Sequence, residues 1–181
     1  MTNLFSILFA PVFVILLHYF EFNLVVTFYL FVAVIFFIYM HYKKETLRDM
    51  LMPTIYLIAL SIAYYYSSFS VVKFVPVTLS IIFFALFVDA TLTKKHMIWG
   101  FTKQFYKKKL TEAEEAFVKN GDGYWAWVTL INTFIQIFVI YYGDDLLWAF
   151  YTSIGWYILF FVSLLAQIIY GKLYAVKMYY R

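Results

Sequence analysis

Two stretches near the start, LFSILFAPVFVILLHYF at 4–20 and LVVTFYLFVAVIFFIYM at 24–40, decide the fold, because both are uncharged and only Glu21-Phe22-Asn23 separates them. Each is 17 residues long, near the lower limit for a helix that crosses a bilayer core of about 30 Å. They read as a helical hairpin closed by a very short turn. A cleaved secretory leader is the competing reading of the first stretch. No Lys or Arg precedes it and no A-x-A-like site follows it, so the segment is expected to stay in place.

Outward from that hairpin the composition agrees. Of 181 residues, 65% are apolar, 25% aromatic and only 13% charged, whereas soluble domains run at about 45–50% apolar and about 25% charged. A water-soluble globule is excluded, and the chain reads as an integral membrane protein. Its length leaves room for about six spans and no separate soluble domain. There is no cysteine, which removes disulfides, a thiolate nucleophile and Cys-ligated zinc or iron–sulfur sites.

The expected spans are residues 4–20, 24–40, 51–66, 71–91, 124–142 and 146–170, all in one polytopic domain covering 1–181. Pro53 falls in the first turn of the third span, where its missing N–H costs little. The fourth has only 15 uncharged residues between Lys73 and Asp89, so it must borrow length from its flanks, with Lys73 snorkelling to the interface. Barrel strands would alternate apolar and polar, and these runs are apolar on every face, so helices are predicted. The fold class is all-α: six transmembrane helices in three consecutive hairpins, with an amphipathic interfacial helix in the loop 92–123.

If the short turns at Glu21–Asn23, Ser67–Ser70 and Gly143–Asp145 share one side, every Lys and Arg of the 14 except Lys73 lies on the other. The net charge of +4 then reports topology. The positive-inside rule puts both termini and both charged loops in the cytoplasm, with Glu21, Asp144 and Asp145 outside.

The loop carries its own pattern. Met97, Ile98, Trp99, Phe101, Phe105 and Tyr106 share one half of a helical wheel, opposite Gly100, Lys103, Gln104 and Lys107. With Lys107, Lys108 and Lys109, this suits an in-plane helix whose Trp99, Phe101 and Phe105 enter the acyl boundary over anionic lipids. A basic aromatic run tethered at a bilayer is a poor fit to nucleic acid. Thr111-Glu112-Ala113-Glu114 has capping-box spacing and predicts a short helix to Val118 or Lys119, ended by the turn residues Asn120-Gly121-Asp122-Gly123.

Inside the spans, polar residues are few. Thr129, Asn132, Thr133 and Gln136 form a stripe on one side of the fifth span. Structural glue between helices is the plain reading of it. Asp89, at the end of the fourth span, reads as an interfacial carboxylate meeting Lys94 or Lys95. If a ligand pocket exists, it is expected to open between spans four, five and six toward the cytoplasm, with Asp89, Asn132 and Gln136 on its wall. His18, His41 and His96 do not share a site and no H-E-x-x-H spacing occurs, so no metal and no cofactor are expected. Phosphate-loop and nucleophile-elbow motifs are also missing, which leaves no named catalytic residue. Trp99, Trp125, Trp127 and Trp148 fall near span ends and read as interfacial anchors, while the deeper Trp156 reads as packing.

The order of short hairpin, basic loop, second hairpin, basic loop carrying Leu110 to Val118, then Trp125-Ala126-Trp127 opening a span and Trp148-x-Phe150 followed by Gly155 resembles the bacterial intracellular septation protein A group. It is most similar to that group's relatives encoded beside fatty-acid-type biosynthesis genes, including those of aryl polyene clusters. The resemblance implies a small multi-pass protein of the bacterial inner membrane, concerned with envelope maintenance or septation, and brings no catalytic residues with it. Strongly aromatic spans and the acidic patch at Thr111–Glu115 depart from the group. The function expected from residues and resemblance together is a non-enzymatic scaffold or lipid-facing partner. Its partners would be the lipid bilayer, anionic lipids at the cytoplasmic face, and envelope or division proteins. The alternative is a membrane enzyme or carrier handling a lipid or acyl intermediate.

Overall fold

The computed structural model describes residues 2–43, 47–105 and 111–179, whose regular structure is helical, with no strand among the described residues. The helices are α1 (Thr2–Tyr19), α2 (Phe22–Tyr42), α3 (Leu47–Tyr66), α4 (Phe69–Lys73), α5 (Val75–Thr93), α6 (Met97–Phe105), α7 (Glu112–Lys119), α8 (Asp122–Tyr142), α9 (Asp145–Phe150) and α10 (Trp156–Tyr179). The chain forms two compact units, Met1–Leu79 with Gln136–Ile154 and Ser80–Ile135 with Gly155–Arg181.

In the first unit, α1 and α2 are joined through Phe20 and Glu21, the hairpin expected from the uncharged runs. Its core is a chain of rings. Phe9 meets Tyr56 at 4.9 Å and Tyr29 at 5.0 Å, Tyr29 meets Phe13 at 5.0 Å, Phe13 stacks on Phe69 at 5.5 Å, and Phe69 takes Trp148 edge-on at 5.3 Å. Such pairs contribute about 0.5–1.5 kcal/mol each beyond their burial, and this series ties α1, α2, α3, α4 and α9 together. Tyr29 keeps its phenol inside by donating to the Phe9 carbonyl at 3.2 Å.

The short turns of this unit gather at one end. Ser67, left-handed at φ 47° where α3 stops, donates from Oγ to Asn23 Oδ1 at 3.2 Å. Lys73 pairs with Asp145 at 2.5 Å. Two expectations are corrected here. Lys73 does not snorkel: its side chain is largely buried, its ammonium lies 5.0 Å from the Phe69 ring centre, and a carboxylate supplies the countercharge that water would otherwise provide. Trp148 is not an exposed anchor: it is buried, and its Nε1 donates to the Lys73 carbonyl at 3.3 Å. In addition, α3 begins at Leu47, so Pro53 lies past the first turn and removes one hydrogen bond from the helix.

In the second unit Trp125 is the centre. It is buried against Phe160 at 5.0 Å and Phe87 at 6.5 Å, and its Nε1 donates to Gln167 Oε1 at 2.8 Å. Tyr124 adds a bond from its hydroxyl to the Ser163 carbonyl at 2.8 Å. Helix α7 lies on α10, where buried Gly171 lets the Phe117 ring approach: a Cβ there would stand 3.0 Å from two Phe117 ring carbons.

The last long apolar segment is not one regular helix. Residues Tyr151–Gly155 form a π turn between α9 and α10. Within it the buried Ser153 turns Oγ onto the carbonyls of Ala149 at 2.7 Å and Phe150 at 3.2 Å, an alternative to the regular helical ladder.

Among the described residues, four segments are long and apolar enough to cross a membrane: Phe22–Tyr42, Phe69–Thr93, Asp122–Tyr142 and Asp145–Leu173. Large side chains on them face outward, with Phe31 at 64% and Phe134 at 63% exposed. Left in water, surfaces of this size would forfeit about 25 cal/mol for every Å². A surrounding of lipid removes that penalty, which fits a multi-pass membrane protein.

Candidate functional site

The expected stripe on α8 is present: the Asn132 amide, the Thr133 hydroxyl and the Thr129 carbonyl meet Ser80 of α5, while the Thr129 hydroxyl turns back onto the carbonyls of Trp125 and Ala126. Ser80 Oγ donates to the Thr129 carbonyl at 3.1 Å and accepts from Asn132 Nδ2 at 3.0 Å. Thr133 Oγ stands 2.9 Å from both Ser80 Oγ and the Thr129 carbonyl, so its one proton serves the two acceptors. Ser80 was not singled out in the sequence. A lone Ser in an apolar run carries no signal until its partner helix is known. Bonds of this kind average about 0.6 kcal/mol in membrane proteins, and the three that run from Ser80 to Thr129, Asn132 and Thr133 fix how α5 and α8 meet.

Asp89, Asn132 and Gln136 are placed differently from one another. Asp89 is exposed and accepts from Lys95 Nζ at 2.6 Å. It lies nine residues beyond Ser80 on α5, about 13.5 Å by helix rise from the residue that Asn132 touches. Asn132 belongs to the Ser80 cluster. Gln136 is 8% exposed, and its Oε1 is buried without a hydrogen-bond partner, a state that costs about 1–3 kcal/mol when nothing fills it.

The described residues of the loop between α5 and α8 form a folded cap built from α6 and α7. Asp122 is only 3% exposed, and its two carboxylate oxygens accept the backbone N–H groups of Met97 and Ile98 at 2.9 Å each. These are N–H groups of the first turn of α6, which have no partner within that helix. His96, left-handed at φ 51°, sets Nδ1 2.6 Å from the Lys119 carbonyl. Helix α7 begins as its sequence predicts: Glu114 N–H donates to Thr111 Oγ at 3.3 Å, while Thr111 N and Oγ each lie 2.9 Å from Glu114 Oε2. Those bonds, from the Thr111 backbone first and its hydroxyl second, hold the Glu114 carboxyl below its ordinary range.

Helix α6 spans Met97–Phe105, close to the predicted Met97–Tyr106. Trp99 is half-buried there. Lys103 Nζ lies 4.8 Å and Lys119 Nζ 5.8 Å from its ring centre. Lys107, Lys108 and Lys109 lie outside the described residues, as do the side chains of Phe101 and Phe105. Of the tryptophans read as anchors, Trp127 is exposed, whereas Trp125 turns inward to Gln167.

Sequence reading assigned Asp122 to a turn, and neither its partner nor that of Gln167 is local in the chain. The real partners, an α6 N-terminus and the Trp125 indole, are set by tertiary approach. Chemically, the cap offers an aromatic ring with two cations, and the bundle offers one unpaired amide oxygen. No group of three or more His, Asp or Glu suited to a metal occurs among the described residues. Comparison with protein-family models, curated proteins and solved structures finds no match to this chain.

Proposed function

We propose that the chain is a six-span protein of the bacterial inner membrane, with both termini and the α6–α7 cap in the cytoplasm, acting in envelope maintenance or septation as a non-enzymatic scaffold or lipid-facing partner. The gathering of the short turns at one end of the first unit, through Ser67–Asn23 and Lys73–Asp145, supports this topology. The basic residues of the loop fall on the opposite side of such a scheme. Because the chain has no cysteine, single cysteines at Lys44, Lys108 and Asp144 report sidedness without background. Impermeant labelling from outside is expected to reach only the third. Labelling at Lys108 from outside would defeat the topology.

The observation that carries the non-enzymatic reading is the Ser80 cluster: Asn132, the central polar residue of the stripe, spends its amide on joining α5 to α8. A second reading, an enzyme or carrier for a lipid or acyl intermediate, draws on the unpaired Gln136 Oε1. Affinity purification followed by native mass spectrometry separates the two. Stable co-purification of envelope or division proteins is expected for the scaffold. A retained acyl intermediate whose occupancy falls on Gln136→Leu would overturn it in favour of the second reading.

A further inference from the structure

Three aromatic rings of the described residues carry a lysine, and one carries two. Lys43 lies 5.0 Å from the Tyr39 ring centre and Lys73 5.0 Å from that of Phe69, the latter already neutralised by Asp145. At Trp99 the two ammoniums come from different helices, Lys103 from α6 and Lys119 from α7. Both helices are held where they meet. Asp122 pins the first turn of α6 through Met97 and Ile98, and the ring of His96 anchors the Lys119 carbonyl. The backbones that carry the two lysines are therefore held in place.

Charge at this point is incompletely balanced. Glu115 takes one bond from Lys119 at 2.8 Å, which leaves two ammoniums facing one carboxylate around a single indole. Each ammonium lies within one Debye length, about 8 Å, of the Trp99 ring centre. A monoanionic phosphodiester completes the balance. Its two non-bridging oxygens are acceptors for ammonium donors, and indole is a side chain that prefers the depth of lipid headgroups.

We propose that Trp99, Lys103 and Lys119 form a seat for the phosphodiester headgroup of an anionic phospholipid. The inference rests on the membrane reading above and adds to it a specific lipid class and a residue, Lys119, on a second helix. Each lysine near an anionic surface changes lipid affinity about fivefold.

The test uses the full chain reconstituted in vesicles of equal phosphatidylglycerol and phosphatidylcholine, extracted in mild detergent and weighed by native mass spectrometry with its retained lipids. The native chain is expected to hold phosphatidylglycerol in excess. Lys103→Gln and Lys119→Gln should each lower that excess by about fivefold, and Lys103→Arg with Lys119→Arg should keep it. Lys43→Gln, outside the proposed seat, should lower it less than either seat lysine does. Circular dichroism of each variant verifies that the helices are intact. Equal retention of both lipids, an excess that survives the double Gln variant, or an equal loss on Lys43→Gln would overturn the seat. Displacement of the lipid by millimolar inorganic phosphate would also overturn it, by assigning the site to a free anion. A chain that retains neither lipid would instead defeat the membrane reading itself.

Discussion

Replacing Asp122 should release α6 while leaving the rest of the second unit folded. Its two oxygens each accept a first-turn N–H of α6 at 2.9 Å, from a side chain that is almost fully buried. Hydrogen bonds to a charged group contribute about 1.5–3 kcal/mol net when buried. Water can reach a helix end once the carboxylate is gone, so Asp122→Ala is placed toward the lower side, at about 2–4 kcal/mol for the two together. Asp122→Asn keeps one acceptor and turns an NH₂ toward the other donor, which costs about 1–2 kcal/mol. At about 1.4 kcal/mol per factor of ten, local opening of α6 rises about thirtyfold to several-hundredfold for Ala and about five- to thirtyfold for Asn. Hydrogen–deuterium exchange of the peptide covering 97–105 reads this directly. Asp122 is also the first residue of α8, where a carboxylate contributes about 0.3–1 kcal/mol through the helix dipole. Amides at the start of α8 should therefore accelerate less than those of α6. Exchange of 97–105 within about twofold of the native chain, or uniform acceleration over the whole unit, would refute the assignment.

Two glycines should respond to alanine with opposite signs. Gly171→Ala pushes a methyl against Phe117 and should loosen α7 from α10, raising proteolytic cleavage within Glu112–Lys119, whereas Gly100→Ala meets nothing within 4 Å and should stabilise α6 by about 0.5–1 kcal/mol. Thr111→Ala should destabilise α7 by about 0.5–2 kcal/mol and return the Glu114 carboxyl toward its ordinary range, measurable by carbon-detected titration. Since Thr111 holds the folded pKa of Glu114 down, its contribution is present above the ordinary carboxylate pKa and disappears as pH falls through the lowered value, so native and variant α7 exchange should converge in acid. Ser80→Ala removes the shared partner of Asn132, Thr133 and the Thr129 carbonyl and should cost about 1–2 kcal/mol, against about 0.6 kcal/mol for Asn132→Leu; thermal unfolding in detergent gives the order, and a larger loss for Asn132→Leu would contradict the Ser80-centred network.

The features legible in the sequence are those whose cause is local. Uncharged runs broken by Glu21-Phe22-Asn23 dictate α1, α2 and the turn between them, because an apolar backbone in lipid must satisfy its own hydrogen bonds. Thr111 and Glu114 fix the start of α7, since both partners of a capping box lie within one turn. The wheel pattern of 97–106 likewise marks α6. Tertiary structure alone decided the rest. Helices that are apolar all round carry no periodic signal of which face turns inward, so the burial of Trp125 and Trp148 beside the exposed Trp127 is decided by the rings that pack on them and by Gln167 and the Lys73 carbonyl, which satisfy their indole nitrogens. Asp122 finds its partners 24 and 25 residues away, Ser80 its own about fifty residues on, and Lys73 its carboxylate on another helix. In each case a polar group buried in an apolar bundle must be paired, and which group pairs it depends on how the helices approach, a choice that no local stretch of sequence contains.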